Sequence, residues 1–122
     1  MRPDAEHNHP SWPAPGTVLC CLEDIPVKGR GFVFGEGKEA FRVFVVRRDD
    51  MVFAYVNRCP HFGVPLDSGR DRFLNLDDTR IFCTQHCAEF RIEDGYCMDG
   101  PAQGHSLDPV PIRVACGEVI LD

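Results

Sequence analysis

Two short segments of the sequence carry thiol and imidazole side chains at the spacing of a metal site. Cys59 and His61 form a C-x-H pair, and Cys83 and His86 form a C-x-x-H pair. Thiolates and neutral imidazoles are ligands for both zinc and iron. Each pair supplies one ligand of each type, so two loops that face each other can hold a single centre. We therefore predict one metal site at these four residues.

The remaining cysteines favour metal or redox chemistry in the chain over a disulfide framework. The total of seven is odd, and the first residues show neither a basic head followed by an apolar stretch nor a cleavage site. We expect a cytoplasmic protein with reduced thiols. Cys20, Cys21, Cys97 and Cys116 lie in or beside predicted strands, where we expect small buried residues.

Length and charge limit the class of protein. The chain has 122 residues, 43% of them apolar, and a net charge of −6. This length suits one domain, and a metal centre helps so small a core to fold. The charge argues against nucleic acid and suits a basic patch on a protein partner, although it also simply keeps a protein soluble. No apolar run is long enough for a membrane span. Residues 1–16 are rich in proline and predict a flexible leader before a domain at 17–122.

Short runs of β-branched and aromatic residues predict an all-β fold with sandwich or small-barrel packing. Turn residues at 48–50, 93–95 and 116–118 predict three antiparallel hairpins. The segment Asp71–Leu76 is predicted as a short turn of helix. The predicted strands are Thr17–Leu22, Phe32–Phe34, Phe41–Arg47, Val52–Asn57, Arg80–Cys83, Ala88–Ile92, Tyr96–Met98, Ile112–Ala115 and Val119–Leu121.

The two ligand segments resemble those of the Rieske ferredoxin family. Residues 59–69, CPHFGVPLDSG, are similar to C-P-H-x-G-x-P-L-x-x-G, and residues 83–101, CTQHCAEFRIEDGYCMDGP, resemble the family's second segment. The resemblance covers roughly residues 17–121. It implies the Rieske (ISP-domain) fold, in which an antiparallel β base domain carries a small cluster-binding subdomain. It also implies one Rieske-type [2Fe-2S] cluster, with two cysteines on one iron and two histidines on the other.

Two features depart from the family pattern. The connection from His61 to Cys83 is longer than in compact members, which suggests an enlarged loop at 70–78; loops tolerate such insertions at little cost. Cys87 stands where the family usually has glycine, and we expect it to be a small buried residue rather than a spare thiol near the cluster.

The resemblance also bears on the reduction potential. Val64 and Gln85 occupy the positions of the bridging disulfide of cytochrome-complex Rieske proteins, so no such bridge is expected. Ala88 and Phe90 replace the serine and tyrosine whose hydroxyls bond the cluster sulfurs in high-potential members. Because fewer donors disfavour reduction, we predict a potential toward the lower end of the roughly −150 to +300 mV Rieske range.

Other residues near the ligands have two readings. Apolar neighbours would shield the cluster from water, although core packing explains them equally well. Glycines would allow tight loop geometry, and Gly100-Pro101 would form a third loop over the cluster or an ordinary turn. His7, His9 and His105 lack a ligand pattern. The apolar neighbours are Phe62, Val64, Pro65, Leu66 and Phe90, and the loop glycines are Gly63 and Gly69.

The resemblance implies a soluble ferredoxin that carries one electron at a time, from a reductase to an oxygenase such as a ring-hydroxylating one. No chain is left for a catalytic mononuclear iron domain, so we expect an electron-transfer protein and not an enzyme. The alternative is a small subunit of a larger redox enzyme, similar to that of nitrite reductase, which often lacks the ligands. A structural zinc site is a third reading, because Cys2His2 also suits zinc, but the spacing is unlike a zinc finger. A monomer or a weak homo-oligomer fits equally.

Overall fold

Nine β-strands and one short 3-10 helix make up the regular structure of the residues that the computed structural model describes, namely 13–37, 40–58, 65–66, 72–83, 88–100 and 104–122. The 3-10 helix, Leu22–Asp24, follows the first strand. The strands are β1 (Val18–Cys21), β2 (Arg30–Phe34), β3 (Phe41–Arg48), β4 (Met51–Val56), β5 (Ile81–Phe82), β6 (Glu89–Phe90), β7 (Cys97–Asp99), β8 (Ile112–Ala115) and β9 (Glu118–Leu121).

The strands form three antiparallel sheets of three strands each, in the orders β1-β9-β8, β2-β3-β4 and β5-β6-β7. All nine predicted strands are present, with ends shifted by at most two residues, and the three predicted hairpins join β3 to β4, β6 to β7 and β8 to β9. Asp49 and Cys116 adopt φ values of 56° and 52° in two of these turns, a conformation that tight hairpins require. The all-β class is confirmed.

The central sheet, β2-β3-β4, is covered on both faces. Side chains alternate along a strand, so neighbours in β3 point to opposite sides. Val43 and Val45 pack with β1 and β9 in one buried cluster. Phe44 and Val46 pack with β5, β6 and β7 in the other. The β1-β9-β8 and β2-β3-β4 sheets form the base domain, and β5-β6-β7 forms the smaller subdomain.

The prediction of a helical turn at 71–76 is wrong for the described part, residues 72–76. Leu74 forms an antiparallel bridge with Ile81, and the Phe82 N–H donates to the Phe73 carbonyl at 2.8 Å. The Phe73 ring stacks on Phe44 at a centroid distance of 4.4 Å. These pairings satisfy the backbone in an extended conformation and bury the ring, so a helix has no advantage there.

The prediction for the cysteines is partly wrong. Cys20 and Cys97 are buried as expected, whereas Cys21 is half-buried and Cys116 is exposed. Cys116 lies in the β8–β9 turn, where its backbone is left-handed and its side chain is exposed. Its thiol therefore contributes nothing to a core.

The start of the chain is described only from residue 13, so most of the predicted leader lies outside the described residues. The Gly16 N–H donates to the Leu121 carbonyl at 2.8 Å, which joins this end to β9. The division at residue 16 stays a prediction. None of the helices in the described ranges has the length and apolar character to cross a membrane.

Candidate metal centre

Of the four predicted ligands, Cys83 lies within the described residues. It follows β5 directly and its side chain is fully buried. Cys59, His61 and His86 lie outside the described residues. The position of the centre is therefore argued from Cys83 and from the residues that flank the two ligand segments.

The second ligand segment starts and ends on a hydrogen-bonded pair of residues. The Cys83 N–H donates to the Ala88 carbonyl at 2.9 Å, directly beyond the β5–β6 pairing. Residues 84–87, which include His86, thus connect two adjacent strands of one hairpin. Short β-branched and aromatic runs on either side of this segment form the strands that fix both ends.

The first ligand segment is joined at its ends in a different way. It leaves β4 at Asn57, a buried residue whose N–H donates to the Arg42 carbonyl at 2.8 Å. The side-chain Oδ1 of Asn57 accepts a hydrogen bond from the Leu66 N–H at 2.8 Å. The chain between these two residues contains Cys59 and His61, so its two ends meet at one buried bond.

The ends of both segments lie in the same core. Leu66, Cys83 and Ala88 all belong to the buried cluster between the central sheet and β5-β6-β7. Phe90, the residue that replaces a hydroxyl-bearing tyrosine in the family comparison, is fully buried in that cluster as well. One compact region therefore anchors the two segments that carry two thiols and two imidazoles.

Comparison with known protein families identifies this arrangement. Residues 17–115 match the sequence profile of the Rieske [2Fe-2S] domain. The chain belongs to the Rieske family. No curated protein sequence matches the chain significantly.

Solved structures show the same Rieske fold. The ferredoxin of carbazole 1,9a-dioxygenase from Nocardioides aromaticivorans IC177 is 22% identical, with a TM-score of 0.69, and the match covers 88% of this chain and 97% of that one. The Sphingomonas yanoikuyae B1 ferredoxin is 25% identical, with a TM-score of 0.65 and the same coverage. A protein described as the small subunit of an NADPH nitrite reductase is 18% identical, with a TM-score of 0.64, and the match covers 89% and 99%.

Family membership gives the cofactor, a Rieske-type [2Fe-2S] cluster. Such a cluster takes two cysteine and two histidine ligands and transfers single electrons, so the chain is an electron-transfer protein. The donor set fits, because the two segments together carry two cysteines and two histidines at the spacing of the family. Cys83 is buried in an apolar core and would supply one of the thiolates there, in the kind of environment that keeps water from such a site.

Gly100 allows the chain after β7 to lie close to Ala88, at the end of the second ligand segment. Gly100 has a φ of +100°, and a Cβ placed there would lie 2.7 Å from the Ala88 Cα. The chain after β7 therefore passes directly over the end of the second segment, and only glycine allows that approach. The predicted third loop over the cluster stays a prediction, because Pro101 lies outside the described residues.

A buried hydrogen bond and an exposed ion pair are among the polar contacts that join the subdomain to the base domain. The Tyr55 hydroxyl, on β4, donates to the Ile92 carbonyl at 2.6 Å in a buried position. Burial, followed by the nearby carboxylates of Asp94 and Glu93, raises the pKa of Tyr55 well above its usual value. An exposed ion pair joins Arg48 and Glu93 at 2.8 Å and contributes little by comparison.

Hydrogen bonds to the Asp94 side chain, a group called here the polar lock, hold the β6–β7 turn together. Asp94 pairs with the Arg91 guanidinium and accepts a further bond from the Tyr96 N–H at 3.0 Å. The hydrogen bonds from Arg91 hold the pKa of Asp94 below its usual range. The lock fixes the hairpin that follows the second ligand segment.

The other residues predicted to lie near the ligands differ in burial. Leu66, Ala88 and Phe90 are buried, Pro65 is half-buried and His105 is exposed. Within the described ranges, no three His, Cys, Asp or Glu side chains converge on a metal position. The predictions that fall outside the described residues concern Phe62, Gly63, Val64, Gly69, Gln85 and Cys87.

Sequence reasoning missed Asn57 and Tyr55. Tyr55 lies on β4 and its hydroxyl donates to the Ile92 carbonyl in the subdomain. Asn57 directly follows β4, and its side chain accepts a hydrogen bond from the Leu66 N–H at the end of the first ligand segment. For Asn57, the sequence offered one signal: it is a polar residue that continues the alternation of a buried strand, two positions before the predicted ligand Cys59.

Proposed function

We propose that this chain is a Rieske ferredoxin that carries one electron at a time in the cytoplasm, from a reductase to an oxygenase. The strongest support is the extent of the matches along this chain and along the matched ferredoxins. The Rieske domain takes up residues 17–115 of 122, and the matched ferredoxins are covered over 97% of their length.

Cys59, His61, Cys83 and His86 are the residues that would hold the cluster. When bound, the cluster accepts one electron and gives it up again without substrate chemistry. The residues of the protein would bind the cluster and shield it from water. Leu66 and Phe90 pack with Cys83 in one apolar core, which excludes water from the thiolate side.

The charge of the chain supports a protein partner with a basic surface. A net charge of −6 attracts such a surface and raises the rate of encounter, an effect that salt screens. In carbazole 1,9a-dioxygenase, a ferredoxin has been solved in complex with its oxygenase, which supports a protein partner for this chain. For this chain, both the reductase and the oxygenase are inferred, and the ferredoxin acts as a monomer or a weak homo-oligomer.

The likeness to the nitrite reductase small subunit supports a second candidate, a non-catalytic subunit of a larger redox enzyme. The two candidates differ in assembly. A mobile carrier binds its partners briefly, whereas a subunit stays bound to a large partner. The four retained ligand residues favour the carrier, because a subunit that only supports another protein has no need of them.

An anaerobic redox titration followed by visible absorbance tests the proposal. The isolated chain is expected to take up one electron per molecule reversibly, and to do so at the size of a free monomer or small oligomer in gel filtration. A chain that contains iron but shows no reversible one-electron step would contradict the carrier function. A chain that is redox-active only in a permanent complex with a large subunit would favour the second candidate.

A further inference from the structure

Asn57 stands apart from the other residues of the core. Among the residues that the structure describes, it is the one buried residue whose side chain is an amide or carries a charge, with 7% of its surface exposed. Burial of an amide is unfavourable unless its hydrogen bonds are satisfied, so such a residue is retained where its bonds have a purpose.

The position of Asn57 on β4 directs its side chain toward the cluster-binding subdomain. Phe53 and Tyr55 face the core shared with β5-β6-β7, and Asn57 continues this alternation one step beyond the strand. Its Oδ1 accepts the Leu66 N–H at 2.8 Å. Its own N–H donates to the Arg42 carbonyl at 2.8 Å. One residue therefore bonds to β3 through its backbone and to the end of the ligand segment through its side chain.

The bond to Leu66 closes the chain segment that carries two of the four ligands. Residues 58–65 lie between the bonded residues, and Cys59 and His61 are among them. Joining the ends of a short segment removes many of its conformations, and the ligands it carries lose less freedom when they bind a metal. Leu66 itself is fully buried in the core that contains Cys83.

We propose that Asn57 is a positioning residue for the cluster: its side-chain oxygen fixes the end of the first ligand segment against the core that holds Cys83. The inference rests on the proposed function, since Cys59 and His61 must be ligands for it to apply. Asn57 touches neither iron nor sulfide in this account and acts only through the Leu66 amide.

Tyr55 offers a matched control. It lies on β4 and also makes a buried hydrogen bond to a backbone group, but its acceptor, the Ile92 carbonyl, lies in the turn after β6 and outside the two stretches that carry the predicted ligands, residues 58–65 and 83–88. Loss of the Tyr55 bond should lower stability without affecting how the first segment holds the cluster.

The experiment compares Asn57→Leu, which keeps the volume and removes the acceptor, with Asn57→Asp, which keeps an acceptor oxygen, and with Tyr55→Phe. All are purified anaerobically with their cluster. Hydrogen–deuterium exchange reports on the Leu66 amide, and the decay of visible absorbance in the presence of an iron chelator gives the rate of cluster loss. Both readouts are independent of electron-transfer activity.

In Asn57→Leu, we expect exchange at Leu66 and cluster loss to be at least about fivefold faster than in Tyr55→Phe, the factor that corresponds to one lost hydrogen bond. In Asn57→Asp, exchange at Leu66 should stay within about twofold of the wild type, because the oxygen acceptor remains. Equal rates of cluster loss in Asn57→Leu and Tyr55→Phe would overturn the inference.

Two further outcomes are also decisive. If Asn57→Leu fails to fold, hydrogen–deuterium exchange is measured on the wild type and on Asn57→Asp. A wild-type Leu66 amide that exchanges as fast as the amide of the exposed Gly104 overturns the inference. A Leu66 amide that is strongly protected in both proteins supports it. If the wild type binds no [2Fe-2S] cluster, the proposed function fails first, and the two failures are thereby distinguished.

Discussion

Replacement of Tyr55 by phenylalanine tests how the subdomain is held on the base domain. The change removes one hydroxyl and leaves the ring in place. Tyr55 is 3% exposed and its hydroxyl lies 2.6 Å from the Ile92 carbonyl, so the variant leaves a buried acceptor without this donor. Such a loss costs about 1–3 kcal/mol, which for a domain of this size lowers the melting temperature by about 4–12 °C.

The pH dependence gives the prediction a second, independent part. Burial, followed by the charges of Asp94 and Glu93, raises the pKa of Tyr55 in the folded protein above its unfolded value of about 10. The contribution of Tyr55 to the free energy of unfolding is therefore complete below pH about 10 and is lost as the pH rises further. The reason is that Tyr55 loses its proton at a lower pH in the unfolded chain than in the folded protein. The difference in unfolding free energy between wild type and Tyr55→Phe should narrow by up to about 1.4 kcal/mol per pH unit above that point.

Urea denaturation followed by circular dichroism at pH 7, 9 and 10.5 or so measures both effects. Tyr96→Phe is the control, because the chain has one other tyrosine and its ring is 38% exposed beside the Arg91 guanidinium. We expect Tyr96→Phe to change stability by less than about 0.5 kcal/mol. The reasoning is refuted if the two variants are equally stable at neutral pH, or if the gap between wild type and Tyr55→Phe does not narrow in alkali.

Three further predictions concern the centre itself. Gly100→Ala should destabilise the protein by about 1–3 kcal/mol more than Gly104→Ala, measured by thermal unfolding; both glycines have positive φ, but only at Gly100 would the Cβ meet backbone. Equal costs would contradict the close approach to Ala88. Cys83→Ser should be purified without the visible absorption and iron of the wild type, whereas Cys20→Ser, in the opposite core, should keep both; retained iron in Cys83→Ser would remove Cys83 from the ligand set. The reduction potential should fall in the lower part of the roughly −150 to +300 mV Rieske range, since the buried Ala88 and Phe90 offer no hydroxyl, and a value near the upper end in voltammetry would refute that argument.

The strands and hairpins could be predicted because their causes are local. β-branched and aromatic runs such as Phe41–Arg48 favour extended structure, and the turn residues between them have few alternatives. The ligand pattern was equally readable, because it consists of residue types at fixed spacing. The family match then confirmed the cofactor that this pattern indicated.

The features that could not be predicted depend on partners far away in the sequence. The segment around Phe73 is extended because its ring stacks on Phe44 and its backbone pairs with Phe82. Tyr55 bonds to a residue 37 positions away, and Asn57 bonds to one 9 positions away across the ligand segment. No local pattern specifies such contacts, because the sheets must first bring these residues together.

The central claim is that Cys59, His61, Cys83 and His86 hold one Rieske-type [2Fe-2S] cluster, and electron paramagnetic resonance tests it most directly. The protein would be purified anaerobically and reduced with dithionite. We predict a rhombic signal whose average g value is lower than that of an all-cysteine cluster, because two of the ligands are imidazoles. A silent spectrum from protein that contains zinc and no iron would contradict the account and leave a structural metal domain.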